Sequence, residues 1–245
     1  MTLYNAIAGI YDPWSASVTE DIAFYVDEAK RCGGPVVELA VGTGRIAVPI
    51  AQAGIPVIGV DLSDGMLDVA RAFAAEHGVA GLVDLRVGDL RNPPVAEKVP
   101  LAICPFRSLL HMQDESEKLT ALRAARELLE PGGRLIFDVF VPSAEDIEET
   151  NGLWLEREPE IFERADWDED TRTVTLSVRS GEASVSMDLH WLSPLEWRRL
   201  IDEAGFDIEA LYGWFDRRPF TGDEDMIWVC RSRVVVESST ARQPV

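Results

Sequence analysis

The stretch from Pro35 to Asp61, PVVELAVGTGRIAVPIAQAGIPVIGVD, constrains the fold more than any other part of the chain. Val36 to Ala40 is a short apolar run, β-branched at its start, of the kind that forms a strand buried in a parallel sheet. In the following VGTG, Gly42 and Gly44 permit a sharp turn and let a ligand touch backbone N–H groups. Arg45 to Ala53 has helical spacing, with Ile46, Ile50 and Ala53 on one face. Pro49 lies near its first turn, where a missing N–H costs little. Gly54 ends this helix, and Val57 to Val60 form a second strand with Asp61 at its tip. The unit is therefore strand, glycine loop, helix and strand, with a carboxylate at a strand's carboxyl end. Sheets built this way bind ligands in the crevice outside those ends.

Two cofactor classes fit the unit. Gly42, Gly44 and Ala47 satisfy a relaxed G-x-G-x-x-G/A, and Asp61 stands about 20 residues on, where a dinucleotide site places its ribose-binding acid. One reading is thus an NAD(P)-dependent oxidoreductase. The other is S-adenosylmethionine, whose ribose asks for the same carboxylate but which carries no pyrophosphate. Glu38 favours the second without excluding the first: a buried carboxylate there needs N–H donors or a ligand ammonium, and a dinucleotide site gives it less reason to exist. With Glu38 in ELAVGTG two residues before the small Ala40, the stretch resembles the class I (Rossmann-like) S-adenosylmethionine-dependent methyltransferases.

That resemblance implies an α/β fold: a doubly wound, mostly parallel seven-stranded sheet with an antiparallel last strand, plus an inserted small antiparallel β-sheet or hairpin. It implies S-adenosyl-L-methionine as the methyl source and S-adenosyl-L-homocysteine as the product. Glu38 and the Gly42–Gly44 backbone are then expected at the methionyl end, Asp61 at the ribose, and Met66, Asp89 and Leu90 at the adenine. Tyr11, Ala40, Arg45, Leu62, Gly88, Pro105 and Phe106 complete the expected cofactor set. Three of these have a plainer alternative: Met66 as core, Asp89 as a turn residue bonding its own backbone, and Tyr11 as packing at the edge of the core instead of a lid facing the sulfonium.

Composition limits the partners. Among 245 residues, 23 Lys and Arg face 43 Asp and Glu, a net charge of −20 that repels phosphate backbones and speaks against nucleic acid. Hydrophobic residues make up 47%, ample for a packed core. Cys32, Cys104 and Cys230 are widely spaced and odd in number, which suits apolar fillers in a reducing compartment. No signal peptide opens the chain and no run of 18 apolar residues appears. The expectation is a cytoplasmic protein without membrane partners, acting on a small molecule, with a homodimer possible.

Along the chain, Asp21 to Lys30 has helical spacing, and residues 1–34 read as a helical lid or as covering helices. Residues 35–140 are the expected cofactor-binding core. Ser63 is placed to cap the helix carrying Met66 and Leu67. Leu82 to Val87 and Val99 to Cys104 read as the third and fourth strands. After the fourth comes Pro105-Phe106-Arg107-Ser108; DNA and protein-amide N-methyltransferases of similar fold carry Asn-Pro-Pro-Tyr there, so the chain looks more like the small-molecule enzymes. Asp114 to Glu130 is the clearest helix, with acids in its first turn, and Pro131-Gly132-Gly133 is expected to end it before a fifth strand from Arg134 to Phe140. Residues 141–192 form an insertion, read as a β-hairpin around Ser180-Gly181-Glu182. Trp154, Trp167, His190 and Trp191 either line an acceptor pocket or form that sheet's own core. Residues 193–233 end the core with a helix and an antiparallel pair joined by Tyr212 to Asp225, whose aromatics and Arg217-Arg218 are candidates for the site's edge. Residues 234–245 read as a tail.

The chemistry so implied is in-line methyl transfer to a nitrogen or oxygen of a small molecule. An amine acceptor needs only to lose its proton to water, whereas a hydroxyl needs a base, for which His111 is the first candidate and Asp138 the second. Arg107 is placed either to pair with a substrate carboxylate or to form an ordinary surface ion pair. Tyr11 joins these as a residue beside the reacting atoms. No acid/Asn cluster suggests a metal, and a non-catalytic binding module built on the same fold is a further alternative.

Overall fold

In the computed structural model, which describes Trp14 and residues 19–222 and 225–234, β1 (Val36–Leu39) is buried along its whole length. Preceding it is α1 (Glu20–Cys32), with acids in its first turn and Lys30 and Arg31 in its last, matching the helix dipole at both ends. Gly33 closes α1 in the left-handed conformation, its N–H bonded to the Ala29 carbonyl. After β1 come α2 (Ala47–Gln52), β2 (Val57–Asp61), α3 (Asp64–Glu76), β3 (Val83–Val87), β4 (Val99–Cys104), α4 (Glu115–Glu127) and β5 (Leu129–Phe140). Next are α5 (Ala144–Thr150), β6 (Trp154–Glu158), β7 (Ile161–Asp168), β8 (Thr173–Ser180) and β9 (Ala183–His190). The chain returns through α6 (Pro194–Glu203) to β10 (Phe206–Tyr212) and β11 (Asp225–Ser232).

Seven strands form one sheet in the order β10-β11-β5-β4-β1-β2-β3. All neighbours are parallel except β11, which runs antiparallel to both β5 and β10. Alternation along β1 feeds two cores. Val37 and Leu39 face the side covered by α4 and α6, and Val36 faces the side covered by α1 and α2. Glu38 shares the face of Val36, so a carboxylate points into an otherwise apolar layer. The winding reverses between β1 and β4, and the loops that follow them meet at the strands' carboxyl ends.

The second sheet, β6-β7-β8-β9, is an antiparallel meander. Ala165, Val174 and Leu189 from it join the main core, while Ile161, Val178, Val185 and Met187 form a smaller cluster with Trp14 packed against it. The insertion is thus the small antiparallel sheet expected, with the hairpin around Ser180-Gly181-Glu182 as its β8–β9 pair; β6 and β7 add two strands whose period charged residues masked. Helix α5, capped at both Ser143 and Asp146 by a reciprocal hydrogen-bonded box, was not anticipated.

A further correction concerns the start of β5. The helix stops at Glu127 with Leu128 as its C-cap, and the strand already begins at Leu129, running through Pro131-Gly132-Gly133 instead of starting at Arg134. Leu129 pairs with Val99 across a register shift. Pro131 lies within that shift, before Arg134 pairs with Leu101, and Gly132 takes φ 77°. Helix α2 is likewise shorter than the Arg45 to Ala53 expected. No helix among the described residues is long and apolar enough to cross a membrane.

Candidate active site

At the tip of β1 the backbone turns through two positive-φ residues, Ala40 (57°) and Gly42 (55°), and then Gly44 (84°). Left-handed geometry at Ala40 costs about 1–2 kcal/mol, and the turn it permits brings the Gly42 N–H onto Asp61 Oδ2 at 2.9 Å. Asp61 Oδ1 accepts from Ser63 N at 2.8 Å. Burial pushes the Asp61 carboxyl up, against the pull of those N–H groups. Ser63 caps α3, its hydroxyl accepting from Met66 N at 3.2 Å, and Met66 is buried beside Gly42.

Glu38 is 2% exposed, and its Oε2 has no hydrogen-bond partner. Burial raises its carboxyl well above the ordinary range, with Arg45 opposing and Asp21 and Asp61 adding to the shift. A small pocket is lined by Glu38, Ala40, Gly42, Arg45, Pro105 and Phe106. Arg45 is held by a two-pronged ion pair to Asp21 of α1, at 2.8 and 2.5 Å, with its guanidinium 4.8 Å from the Phe106 ring. An unsatisfied carboxylate oxygen in such a pocket is a ready acceptor for an ammonium.

Next to it lies a cavity of about 640 Å³ that includes Gly42, Asp61, Leu62, Met66, Gly88 and Leu90 on the strand-tip side. It continues to Trp167, Val174, Leu176, Met187 and Leu189 of the inserted sheet and to Trp214 and Phe215 of the loop after β10. Asp138, at the end of β5, accepts three hydrogen bonds: from Tyr25 Oη at 2.6 Å, Phe106 N at 2.9 Å and Arg107 N at 3.0 Å. Burial raises its carboxyl to about 6. His111 borders the cavity, and burial, aided by the positive charges of Lys118 and His190, pushes its imidazole down to about 4. Arg107 pairs with both oxygens of Asp225, at 2.9 and 3.0 Å, and lies over the Phe140 ring.

Residues 36–133 match the family model described as a methyltransferase domain. Over this stretch the chain is similar to a methyltransferase domain. The CcbJ methyltransferase of Streptomyces caelestis shares the fold with a TM-score of 0.83 over 95% of this chain and 99% of its own, at 27% identity. A putative methyltransferase of Geobacillus sp. (strain WCH70) is 33% identical over 131 residues, 53% of this chain and 50% of the relative. The ubiquinone biosynthesis O-methyltransferase of Pseudomonas aeruginosa (strain LESB58) is 30% identical over 112 residues, 45% of this chain and 47% of the relative. The chain spans about half the length of these curated relatives. Its fold is the one that class I S-adenosylmethionine-dependent methyltransferases share.

Within the matched stretch the structure brings Glu38, Ala40, Gly42, Arg45, Pro105 and Phe106 to one pocket and Gly42, Asp61, Leu62, Met66, Gly88 and Leu90 to the adjoining cavity. Gly44 serves the loop's turn: its N–H bonds the Val41 carbonyl at 3.0 Å, and a Cβ there would meet Ala70 Cβ at 3.4 Å. Asp89 is turned onto its own loop. Its oxygens accept from Arg91 Nε at 3.0 Å and Arg91 N at 2.8 Å, and Arg91 holds its carboxyl below the usual range. That is the turn-residue geometry weighed as its alternative. Tyr11 lies outside the described residues.

Of the four candidate linings on the inserted sheet, only Trp167 borders the cavity. Trp191 is buried edge-on to Trp167 at 5.6 Å, Trp154 is covered by the Arg179 guanidinium at 4.1 Å, and His190 bonds the Thr173 hydroxyl at 2.9 Å. Arg217 turns away to Glu28 at 2.8 Å, and Arg218 lies over Trp214. Sequence reasoning missed Tyr25, which meets Asp138 across 113 residues of chain. It also missed Trp14, whose indole N–H donates to Glu163 of β7 at 3.0 Å on the cavity wall. Helical spacing marks Tyr25 only as core, and nothing local marks Trp14.

Proposed function

We propose that the protein transfers a methyl group from S-adenosylmethionine to a nitrogen of a small, uncharged or cationic molecule with an apolar body. The observation that carries this reading is the single cavity running from Gly42, Asp61 and Met66 to the inserted sheet, because in-line transfer needs donor and acceptor in one enclosure. In this reading residues 35–140 and 193–233 form the cofactor-binding body, and residues 141–192 wall the acceptor. Glu38, with its orphan oxygen, receives the methionyl ammonium; Asp61 accepts from the ribose hydroxyls; Met66 and Leu90 flank the adenine. When bound, S-adenosylmethionine supplies a methyl already activated by a sulfonium. The chain's own residues then align the acceptor and exclude water, through Phe140, Trp167, Trp214 and the aliphatic face of the inserted sheet.

The choice of nitrogen follows from charge and proton balance. Six carboxylates border the cavity (Asp21, Asp61, Asp138, Asp146, Glu163 and Asp225) against two guanidiniums, Arg107 and Arg157. That field disfavours carboxylate or phosphate acceptors and favours amines. His111, pushed down to about 4, is a weak base, and Asp138 already accepts three donors. An amine demands neither. A hydroxyl acceptor is the second reading, favoured by the relative named as an O-methyltransferase and by the place of neutral His111 at the cavity wall.

The test is calorimetric titration with S-adenosylhomocysteine and, separately, NADH. Binding of the first alone is expected, and Asp61→Ala should weaken it more than tenfold; binding of NADH alone, or an unchanged affinity in the variant, refutes the reading. A panel of small amines and their hydroxyl counterparts, scored by release of homocysteine thiol, then separates the two acceptor classes.

A further inference from the structure

Phe106 and Arg107 follow β4 directly and both sit in the left-handed region, at φ 57° and 61°. Residues other than glycine rarely take that conformation, and two in succession need an external hold. The hold is visible. Their two N–H groups point at one buried carboxylate, Asp138, Phe106 N reaching Oδ1 at 2.9 Å and Arg107 N reaching Oδ2 at 3.0 Å. Tyr25 Oη of α1 donates to Oδ1 at 2.6 Å from the other side. Successive backbone N–H groups in this arrangement make a concave anion seat, here filled by the protein's own side chain.

The loop so held stands between two spaces. Phe106 borders both the small pocket beside Glu38 and the large cavity, with Arg45, anchored on Asp21, over its ring. Arg107 leaves on the cavity side, toward Phe140 and Asp225. We propose that Asp138 is a positioning residue and not the base of the reaction: through its two oxygens it locks the left-handed Phe106–Arg107 pair, so that the Phe106 ring divides the methionyl pocket from the acceptor cavity. The division into those two compartments rests on the function proposed above; the lock itself does not.

The chemistry of the seat makes a sharp variant available. Asparagine has one acceptor oxygen and one donor NH2 group, so in Asp138→Asn at least one of the two backbone N–H groups faces another donor. Amide hydrogen exchange is the direct readout. In Asp138→Asn the Phe106 and Arg107 amides should exchange more than tenfold faster than in the wild type, while the β1 amides stay as they were. Tyr25→Phe, which keeps both backbone bonds, should leave those two amides within threefold of the wild type.

A double-mutant cycle reads the consequence for binding. Asp138→Asn should weaken S-adenosylhomocysteine binding about tenfold. The same change made in an Arg107→Gly background should cost only about threefold, because glycine takes left-handed backbone without the lock. If Asp138→Asn alone does not fold, the double variant, relieved of strain at position 107, should. Unchanged protection at Phe106 and Arg107, an equal loss in both backgrounds, or failure of both variants to fold would overturn the proposal. Failure of the wild type to bind S-adenosylhomocysteine would instead remove the functional reading and leave the exchange arm to decide the lock.

Discussion

Lys118 enters the first turns of α4 with 1% of its surface exposed, its ammonium donating to the Met112 carbonyl. Burial lowers it to about 8, against Asp114, Glu117 and Glu115, which pull the other way. The sign of the linkage follows. Between about 8 and the ordinary value near 10.4 the unfolded chain binds a proton that the folded chain does not, so stability rises with pH across that window. Below it the cost of burying the charge is fully present, on the order of 3 kcal/mol. Urea unfolding of the wild type and Lys118→Met should therefore show the wild type gaining relative to the variant by about that amount between pH 7 and 10.5. A constant difference would place the charge in contact with water. At this scale the residues readable in advance were those whose roles are local: Ser63 as a cap and Gly42 in a turn. Asp138 was visible as a carboxylate near a strand end, but its three donors come from two other segments.

At the scale of elements, α1 is fastened to the sheet by Glu28. This carboxylate is 3% exposed and accepts from Arg31 Nη1 and Arg217 Nη2, each at 2.8 Å, with Arg134 Nη1 of β5 at 3.5 Å. Three guanidiniums from the helix, the sheet and the loop before β11 converge on it. Glu28→Gln leaves them facing a neutral amide. The expected loss in urea unfolding is about 2 kcal/mol, less than for a fully buried pair because the guanidiniums reach solvent. A loss below 0.5 kcal/mol would mean the network ~breaks even with its desolvation. Element types were legible where one period dominated, as in β1, β2 and α4. They were not in β6 and β7, where sequences such as WLERE and IFERADWD place charges on both faces. The start of β5 was hidden because Pro and Gly are breakers by local rules, and only pairing with β4 makes Leu129 a strand residue.

For the whole molecule the dominant quantity is the net charge of −20. The arginines are largely spent in pairs, such as Arg86 with Asp84 and Glu97 and Arg199 with Glu115 and Glu203, so the unpaired excess is acidic and self-repelling. Screening lengths shrink from about 30 Å at 0.01 M to about 8 Å at 0.15 M salt. Raising NaCl across that range should increase Tm by about 3 °C, equivalent to roughly 1 kcal/mol for a chain of this size. A fall would mean that attractive surface pairs outweigh the repulsion.

The sequence by itself determined the doubly wound sheet, the glycine turn and the acid at the β2 tip, because each depends on residues within a few positions of one another. Tertiary structure alone decided that Glu38 keeps an unpartnered oxygen, that Asp89 turns to Arg91, and which tryptophan reaches the cavity. Those outcomes depend on side-chain direction and on partners brought together by winding, and neither hydrophobic period nor motif spacing encodes which of several nearby donors a buried carboxylate will meet.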